Sequence, residues 1–477
     1  MIETLKKLAA LLLGEQAKID PPQGGRDSVL LNFQTLKEGK KIDIPWTRGR
    51  ALPGVLIFGK SGSGKTSGPG RTIARALLDK KMGGLVLCAK TEEGDTWAAW
   101  ANEAGRAGDV VRVVADGPHR LNILDYENQQ HGATTLSIVA LLMLLGEAAG
   151  GADRKDDDWL GMVKTLLTNA VDLCRLAGVT IRFETILALV QDANTWEPLH
   201  ALAKERDLTE SQRKDLAICA HYWGEEWLMM PDKTKGSIKA TLLPIVSPLS
   251  RGELRELFST DTTVTPEATF AGKIIIIDLP IKKFDIAGKL AAVGWKLAWQ
   301  RAVERRGSAG AEAPAFMWAD EFQNFVTSRD ADFCLTARAS GGLMVLLTQG
   351  LPGIWHAFGG KARGEAPAEI LLGNLPTKIF CANDDHATNE WAQRLIGKRL
   401  QMRANTSSGY NFSQGGGGGS GGSGSSEQMD FIIETNIFQK LSQGGSESRK
   451  VVTAILVTGK ELPPNGEMFC KVGFKQN

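Results

Sequence analysis

Short unbroken apolar runs alternate with amphipathic stretches in the first quarter and the second half of this chain. Residues 54–58 (GVLIF), 84–88 (GLVLC) and 110–114 (VVRVV) are runs of this kind. Runs this short, with little polar interruption, fit strands covered on both faces. Between them the pattern predicts a glycine-rich turn, a helix from Arg71 to Lys81 and a helical segment around 96–105. Strand alternating with helix predicts a parallel α/β sheet. The same alternation resumes at 273–279 (KIIIIDL), followed by helix 287–305, strand 315–319 (AFMWA), helix 331–339 and strands at 343–347, 377–381 and 450–458.

The middle reads differently. From about residue 126 to 250 the periodicity is helical, at 135–148, 159–177, 184–192, 196–206 and 210–229. Four spans follow from this: an N-terminal segment 1–50, a first part of the α/β body 51–125, an all-α insertion 126–250, and a second part of the body 251–477. Charge supports the division. The whole chain of 477 residues carries +2, but residues 121–250 hold 12 Lys+Arg against 18 Asp+Glu, so an acidic −6 insertion sits in a +8 body. Residues 413–426 (SQGGGGGSGGSGSS) contain eight glycines in fourteen positions and read as a flexible loop that buries no core.

Cysteine and hydropathy patterns narrow the class. Cys88, Cys174, Cys219, Cys334, Cys381 and Cys470 stand singly with no C-x-x-C pair, which fits reduced thiols in a cytoplasmic protein and neither a disulfide framework nor a zinc site. No apolar run reaches the roughly 18–20 residues of a membrane span. Ile2, Leu5, Leu8 and Leu12 share one helical face beside Lys6 and Lys7, the pattern of a helix packed on its own protein or docked on a partner or membrane surface.

The chemistry concentrates in two places. Gly59-Lys60-Ser61-Gly62-Ser63-Gly64-Lys65-Thr66 satisfies G-x-x-x-x-G-K-[ST] between a predicted strand and a predicted helix. Such a loop turns backbone N–H groups inward around phosphate oxygens, at the positive end of a helix dipole. Lys65 is the candidate for the β- and γ-phosphates and Thr66 for Mg²⁺. Asp320-Glu321 ends the strand 315–319. An isolated Asp-Glu more often caps a helix, but after an apolar strand, beside a phosphate loop, Asp320 is the expected holder of Mg²⁺ and Glu321 the expected group that orients and deprotonates water. The chain lacks an N-K-x-D guanine signature, so ATP is the expected nucleotide. Gln349 ends the strand at 343–348, as a γ-phosphate sensor or a plain cap. Arg338 and the nearby Arg329 compete as an arginine finger toward a neighbouring subunit, against the reading of solvated helix residues.

These motifs, in this order, resemble the type IV secretion coupling proteins, the TraG/TraD-type ATPases of bacterial conjugation. Gly59 to Thr66 resembles the Walker A loop, and Asp320-Glu321-Phe322 the Walker B "DEF". Residues 86–93 (VLCAKTEE) resemble a strand ending in D-x-K-x-E, with Ala89 where the family has an acidic residue. Residues 120–125 (RLNILD), Asp158-Trp159, 234–245, 336–349, Gly373-Asn374 and 377–385 extend the likeness along most of the chain. It implies a RecA-like P-loop domain with a mostly parallel sheet, interrupted by an all-α domain. It implies ATP and Mg²⁺ as ligands, Arg338 as the trans-acting finger and Gln349 as the sensor. It further implies a homohexamer, or a monomer in isolation, that moves single-stranded or double-stranded DNA with its relaxase, in contact with relaxosome proteins and with the secretion ATPases and channel. Most members carry N-terminal transmembrane helices, and none is found here. A natural soluble variant and a chain without its anchor both fit that departure, and the expected location is the cytoplasm, peripheral to the inner membrane through secretion-system partners.

For DNA, Arg394, Lys398, Arg399 and Arg403 form the densest basic cluster, either a phosphate-gripping loop or a solvated face. The acidic insertion suits a protein partner better than a phosphate backbone. Trp223 and Trp227 share a helical face and read as packing ahead of base stacking. Two other functions compete: a HerA/FtsK-like DNA motor, and an ATP-gated docking platform without processive movement.

Overall fold

The computed structural model describes residues 27–37, 40–52, 54–150, 157–411, 418–459, 462 and 466–476. The amphipathic stretch through Ile2 and Leu12 lies outside them. The predicted strands settle as β3 (Val55–Phe58), β4 (Gly84–Leu87), β5 (Val110–Val113), β6 (Ile274–Ile277), β7 (Ala315–Ala319), β8 (Gly342–Thr348) and β9 (Thr377–Phe380). These seven pair in parallel in the order β9-β3-β8-β7-β4-β6-β5. Every residue of β3, β4, β6, β7, β8 and β9 is buried, which is why their sequences show no alternation.

The sheet is wider than the apolar runs indicate. β1 (Val29–Lys37) and β2 (Lys40–Thr47) come from the span expected to be a separate N-terminal segment, and join β12 (Val451–Val457) and β13 (Phe469–Lys475). Together they add an antiparallel flank in the order β2-β1-β13-β12 beside β9. Phe33 packs its ring 5.8 Å from Trp46 and 6.0 Å from Phe474, tying the flank together on one face.

The two faces of the sheet carry different cargo. Helices Arg71–Asp79 and Glu93–Glu103 cover one face, through Leu77, Trp97 and Trp100. Helix Ile281–Arg305 covers the other and continues into the all-α unit. Asp285, with φ 51°, breaks the first turn of that helix from the rest, which runs on from close to residue 287 as its sequence predicts. The helical unit extends from Ile123 to Phe258, somewhat beyond the expected 126–250, and separates β5 from its neighbour β6. It docks closely: a Cβ on Gly294 would lie 2.4 Å from Ile123 Cδ1. Trp223 and Trp227 are wholly buried beside Tyr222 in this unit, so they pack a core and offer no face to a base. All six cysteines are free and buried.

The glycine-serine stretch differs from expectation. β10 (Lys398–Asn411) and β11 (Gly418–Phe431) form a two-stranded antiparallel ribbon, with Arg403 opposite Ser426 and Asn411 opposite Gly418. Residues 418–426 are therefore strand where a flexible loop was expected. Low apolar content rules out a core, but a ladder needs only backbone N–H and C=O groups, and residues 403–411 supply them.

One buried ion pair anchors the segment that follows β7. Lys296 Nζ lies 2.5 Å from Asp330 Oδ2, with both side chains fully inaccessible. Lys296 also donates to the Phe325 carbonyl at 2.6 Å and the Thr327 hydroxyl at 3.1 Å, while Gln300 donates to the other Asp330 oxygen at 2.7 Å. With so many of its polar atoms satisfied, the pair is costly to break and inexpensive to keep. Lys296→Met is expected to destabilise the chain by about 3–5 kcal/mol in chemical denaturation, because it strands a buried carboxylate. Adding Asp330→Asn, which removes the charge and keeps an acceptor for the Gln300 amide or the Thr327 N–H, should recover part of that loss.

Candidate functional site

β3, β8, β7 and β4 are parallel neighbours, so their C-terminal ends meet along one edge of the sheet. Gly59–Thr66 leaves β3 at that edge. Gly62 and Gly64 hold φ of +74° and +79°, which side-chain-bearing residues rarely adopt. Space adds a second requirement, since a Cβ on Gly64 would sit 2.5 Å from Val452 Cγ2 and one on Gly59 would sit 2.4 Å from Ser63 Oγ. The following helix opens on a wide turn, Thr66–Gly70. Pro69 has no N–H to offer the Lys65 carbonyl, so Gly70 N–H takes it at 2.9 Å, one residue further on.

The loop meets the carboxylates directly. The Thr66 hydroxyl donates to Asp320 Oδ2 at 2.8 Å, and Lys65 Nζ lies 3.5 Å from Glu321 Oε1. Asp320 uses its other oxygen to accept the Glu321 N–H at 2.9 Å. Glu321 is held left-handed, φ 51° and ψ 46°, an uncommon conformation for a residue with a side chain. Gln349 donates to its two oxygens at 3.2 and 3.0 Å, and Gln323 donates to one of them at 2.7 Å. These amides are themselves fixed: the Thr348 hydroxyl donates to Gln323 Oε1 at 2.8 Å, and Asn383 donates to the Gln349 carbonyl at 2.9 Å. From the end of β4, Lys90 Nζ reaches Glu321 Oε1 at 3.0 Å and Asp320 Oδ2 at 3.6 Å.

Charge placement sets the protonation states. Burial pushes the Glu321 carboxyl up, but Lys65, the Gln323 amide and Lys90 outweigh it and bring it down to about 2. Burial works against the Lys90 ammonium, yet the Asp320 and Glu321 carboxylates raise its pKa. Glu93 shows the opposite balance. Burial and the Asp320 charge raise it to about 7, against the N–H groups of Ala89 and Lys90 and the Lys90 ammonium.

The sequence-predicted residues divide in two. Gly59, Gly62, Gly64, Lys65, Thr66, Asp320, Glu321 and Gln349 converge on this edge. Ser63 belongs to the loop, but its N–H bonds the Lys60 carbonyl at 3.1 Å and its buried hydroxyl faces Gly59. Arg338 does not converge. It is exposed near the opposite end of the sheet, beside Thr47, Arg50 and Pro376. Arg329 is paired with Glu304. Of the basic cluster, Lys398 lies over the Phe431 ring and Arg399 approaches Glu467 at 3.7 Å, both at the ribbon's base. The Arg403 side chain falls outside the described residues.

Sequence reasoning passed over Gln323, Asn383 and Gln476. Gln476, just beyond β13, donates to the Ser67 hydroxyl at 2.6 Å and accepts the Gly445 N–H at 2.8 Å. No local pattern announces it. With Ser61–Ser67, Lys90, Trp100, Lys282, Glu321 and Gln349 it lines an open cavity of about 760 Å³.

Residues 314–443, which run from β7 through the ribbon, match the family model described as "TraM recognition site of TraD and TraG". The whole architecture is similar to solved structures. The unbound conjugative coupling protein TrwB matches with TM-score 0.61 at 13% identity, over 93% of this chain and 89% of that one. This is the coupling-protein fold. The resemblance read from the motifs is borne out, and with it the RecA-type α/β body. TrwB in complex with ADP and Mg²⁺ matches equally well, TM-score 0.61 at 12% identity over 96% and 90% of the two chains. VirB4 of Thermoanaerobacter pseudethanolicus matches at TM-score 0.54 and 15% identity, over 95% and 97%. No curated protein sequence matches this one. No helix among the described residues is long and apolar enough to cross a membrane.

The loop and carboxylates suit a magnesium nucleotide. Mg²⁺ keeps several waters and takes one or two protein oxygens plus phosphate oxygens. The adjacent Thr66 hydroxyl and Asp320 carboxylate offer that number, and the described residues hold no cluster of three or more His, Cys, Asp and Glu that would suit an all-protein cage.

Glu93 supplies a pH test. Its folded pKa, about 7, lies above its ordinary 4.5, so the folded state holds the proton more tightly. Stability from this group is full below about pH 4.5 and is lost as pH rises through 7. Glu93→Gln should therefore gain on the order of 2 kcal/mol over the parent at pH 8 and little at pH 4.5, read by urea denaturation at both.

Proposed function

We propose that this chain is an ATP-hydrolysing coupling protein, which uses ATP to move relaxase-bound DNA toward a type IV secretion channel. The observation that carries the catalytic half is the meeting of Lys65 and Thr66 with Glu321 and Asp320 across the ends of β3 and β7. ATP would lie in the cavity over Gly59–Thr66, with Thr66 and Asp320 holding Mg²⁺. When bound, Mg²⁺ supplies charge neutralisation at the phosphate oxygens. The N–H groups of the glycine loop and the Lys65 ammonium hold the phosphates.

Glu321 orients the attacking water and accepts its proton. While Lys65 is its partner the carboxyl is held down to about 2, too acidic for an effective base. Lys65 is the strongest cause of that lowering. Once Lys65 turns to phosphate, Glu321 loses that partner and its basicity rises. Nucleotide binding thus prepares the base that will act on it. Gln349, already on Glu321, keeps the carboxylate aimed and registers the γ-phosphate.

Arg338 cannot serve its own chain's site from the far end of the sheet. In a homohexamer it would reach the site of the next subunit as an arginine finger. The likeness to TrwB, solved with ADP and Mg²⁺ and with ADPNP, supports the nucleotide reading. The match to a TraM recognition site supports an accessory relaxosome protein as a partner of 314–443. The site of action would be the cytoplasmic side of the inner membrane, against the secretion ATPases and channel.

Lys65→Ala should abolish fluorescent-nucleotide binding and DNA-stimulated phosphate release. Retained hydrolysis would remove the assignment. Glu321→Gln should bind nucleotide as the parent does and lose about 100-fold or more in kcat. Arg338 is tested by mixing. Arg338→Ala and Glu321→Gln chains, each inactive alone, should regain hydrolysis when combined, because some interfaces then pair an intact finger with an intact base. Failure to regain any would count against action in trans.

A further inference from the structure

The segment that begins with Asp320-Glu321 does not end at the site. It runs through Gln323 and Thr327 to helix Arg329–Ala337, and it is held twice at its far end. The first hold is the buried Lys296–Asp330 pair, which lies out of reach of any partner. Lys296 also sits 5.9 Å over the ring of Phe322, the residue after the carboxylate pair.

The second hold comes from the all-α unit. Glu147, near the end of helix Thr135–Ala148, accepts the Ser328 N–H on Oε1 and the Ser328 hydroxyl on Oε2, both at 2.7 Å. Ser328 occupies the N-cap position of helix Arg329–Ala337, yet its side chain makes no cap bond to that helix. Glu147 instead takes up the Ser328 N–H itself, near the positive end of the helix dipole, which favours an anion. Around this clasp the packing opens into a cavity of about 530 Å³, lined by Glu147, Lys164, Thr241, Ser328 and Phe358 among others. At this point the units meet through polar bonds.

The two holds differ in a way that suggests different uses. The buried pair is too costly to break in a working cycle. The exposed clasp is a pair of charge-assisted bonds that solvent can replace, so a modest displacement of the all-α unit can open it. Ser328 is five residues beyond Gln323, which donates to Glu321 at 2.7 Å. Between them Lys296 holds the Phe325 carbonyl and the Thr327 hydroxyl, so a pull at Ser328 reaches Glu321 through that anchor, which also touches the Phe322 ring.

We infer that Glu147 is a positioning residue for hydrolysis: through Ser328 it makes the placement of Asp320-Glu321 depend on the position of the all-α unit. A partner seated on that acidic unit thereby gains a lever on turnover. The inference rests on the nucleotide reading above.

The test is steady-state nucleotide hydrolysis by the full chain, with its melting temperature. Glu147→Ala should lower kcat about fivefold and leave KM within about twofold, since the phosphate loop is untouched. Glu147→Gln, which still accepts a bond, should keep at least about half of the parent kcat. Glu147→Ala and Ser328→Ala combined should cost no more than the worse of the two, as members of one contact do. A Glu147→Ala chain that matches the parent in kcat while the parent hydrolyses overturns this inference alone. So does a kcat loss that Glu147→Gln fails to rescue and that tracks a fall in melting temperature. A parent chain that hydrolyses no nucleotide overturns the functional reading, and this inference with it.

Discussion

Parallel pairing of β3, β8, β7 and β4 is the constraint on which the site depends. Strands that run the same way deliver their C-terminal ends to one edge. Val55 is level with Val345 of β8, Ala315 of β7 is level with Gly342 of β8, and Gly84 of β4 is level with Phe316 of β7. Residues separated by more than 250 positions, such as Thr66 and Asp320, then come within 2.8 Å without any local signal to direct them. Full burial of these strands enforces the register, because slipping one would move a turn residue into an interior with no water to satisfy it.

That edge places two cations and two carboxylates together. Lys65 and Lys90 lie on Glu321, Thr66 and Lys90 on Asp320, so the pairs neutralise one another. Where burial and a neighbouring carboxylate outweigh the partners the balance tips the other way, as at Glu93, which is raised to about 7. The cost of self-pairing is that phosphate must compete for Lys65. The left-handed backbone of Glu321 fits the same logic: the strain is tolerated because Gln349, Gln323 and two lysines fix the side chain that the conformation aims.

How much of this was legible depended on whether its cause was local. β3, β4 and β6 to β9 announced themselves because fully buried strands are written as unbroken apolar runs, and β5, half-buried, showed through its valines. β1, β2 and β13 did not, since each buries one face only. In β13, Cys470, Val472 and Phe474 turn inward while Lys471 and Lys475 face water, a weaker signal than a solid run. The ribbon was misread because glycine content speaks to core burial and says little about backbone pairing. In the site, Lys65, Thr66, Asp320 and Glu321 were legible because phosphate and metal chemistry demand fixed residue types at fixed spacing. Gln323, Asn383 and Gln476 hold their places by tertiary approach alone. Asn383 bonds a carbonyl 34 positions away, and nothing near it in sequence distinguishes it from a turn residue.

The insertion point of the all-α unit follows from the same geometry. β5 and β6 are the last two strands of the parallel order, so a helical unit entered between them crosses no other strand. The chain then re-enters through β6 and helix Ile281–Arg305, and that one helix carries three loads. Its first residues border the nucleotide cavity at Ile281 and Lys282, Gly294 packs against Ile123 of the insertion, and Lys296 grips the segment beyond the carboxylates. The break at Asp285 sets the first turn apart, while Gly294 and Lys296 share one unbroken stretch and tie the insertion to the segment beyond Asp320-Glu321. The insertion and the segment that carries Asp320-Glu321 are therefore packed on the same stretch of one helix, a direct physical link between the all-α unit and the edge where the strands end.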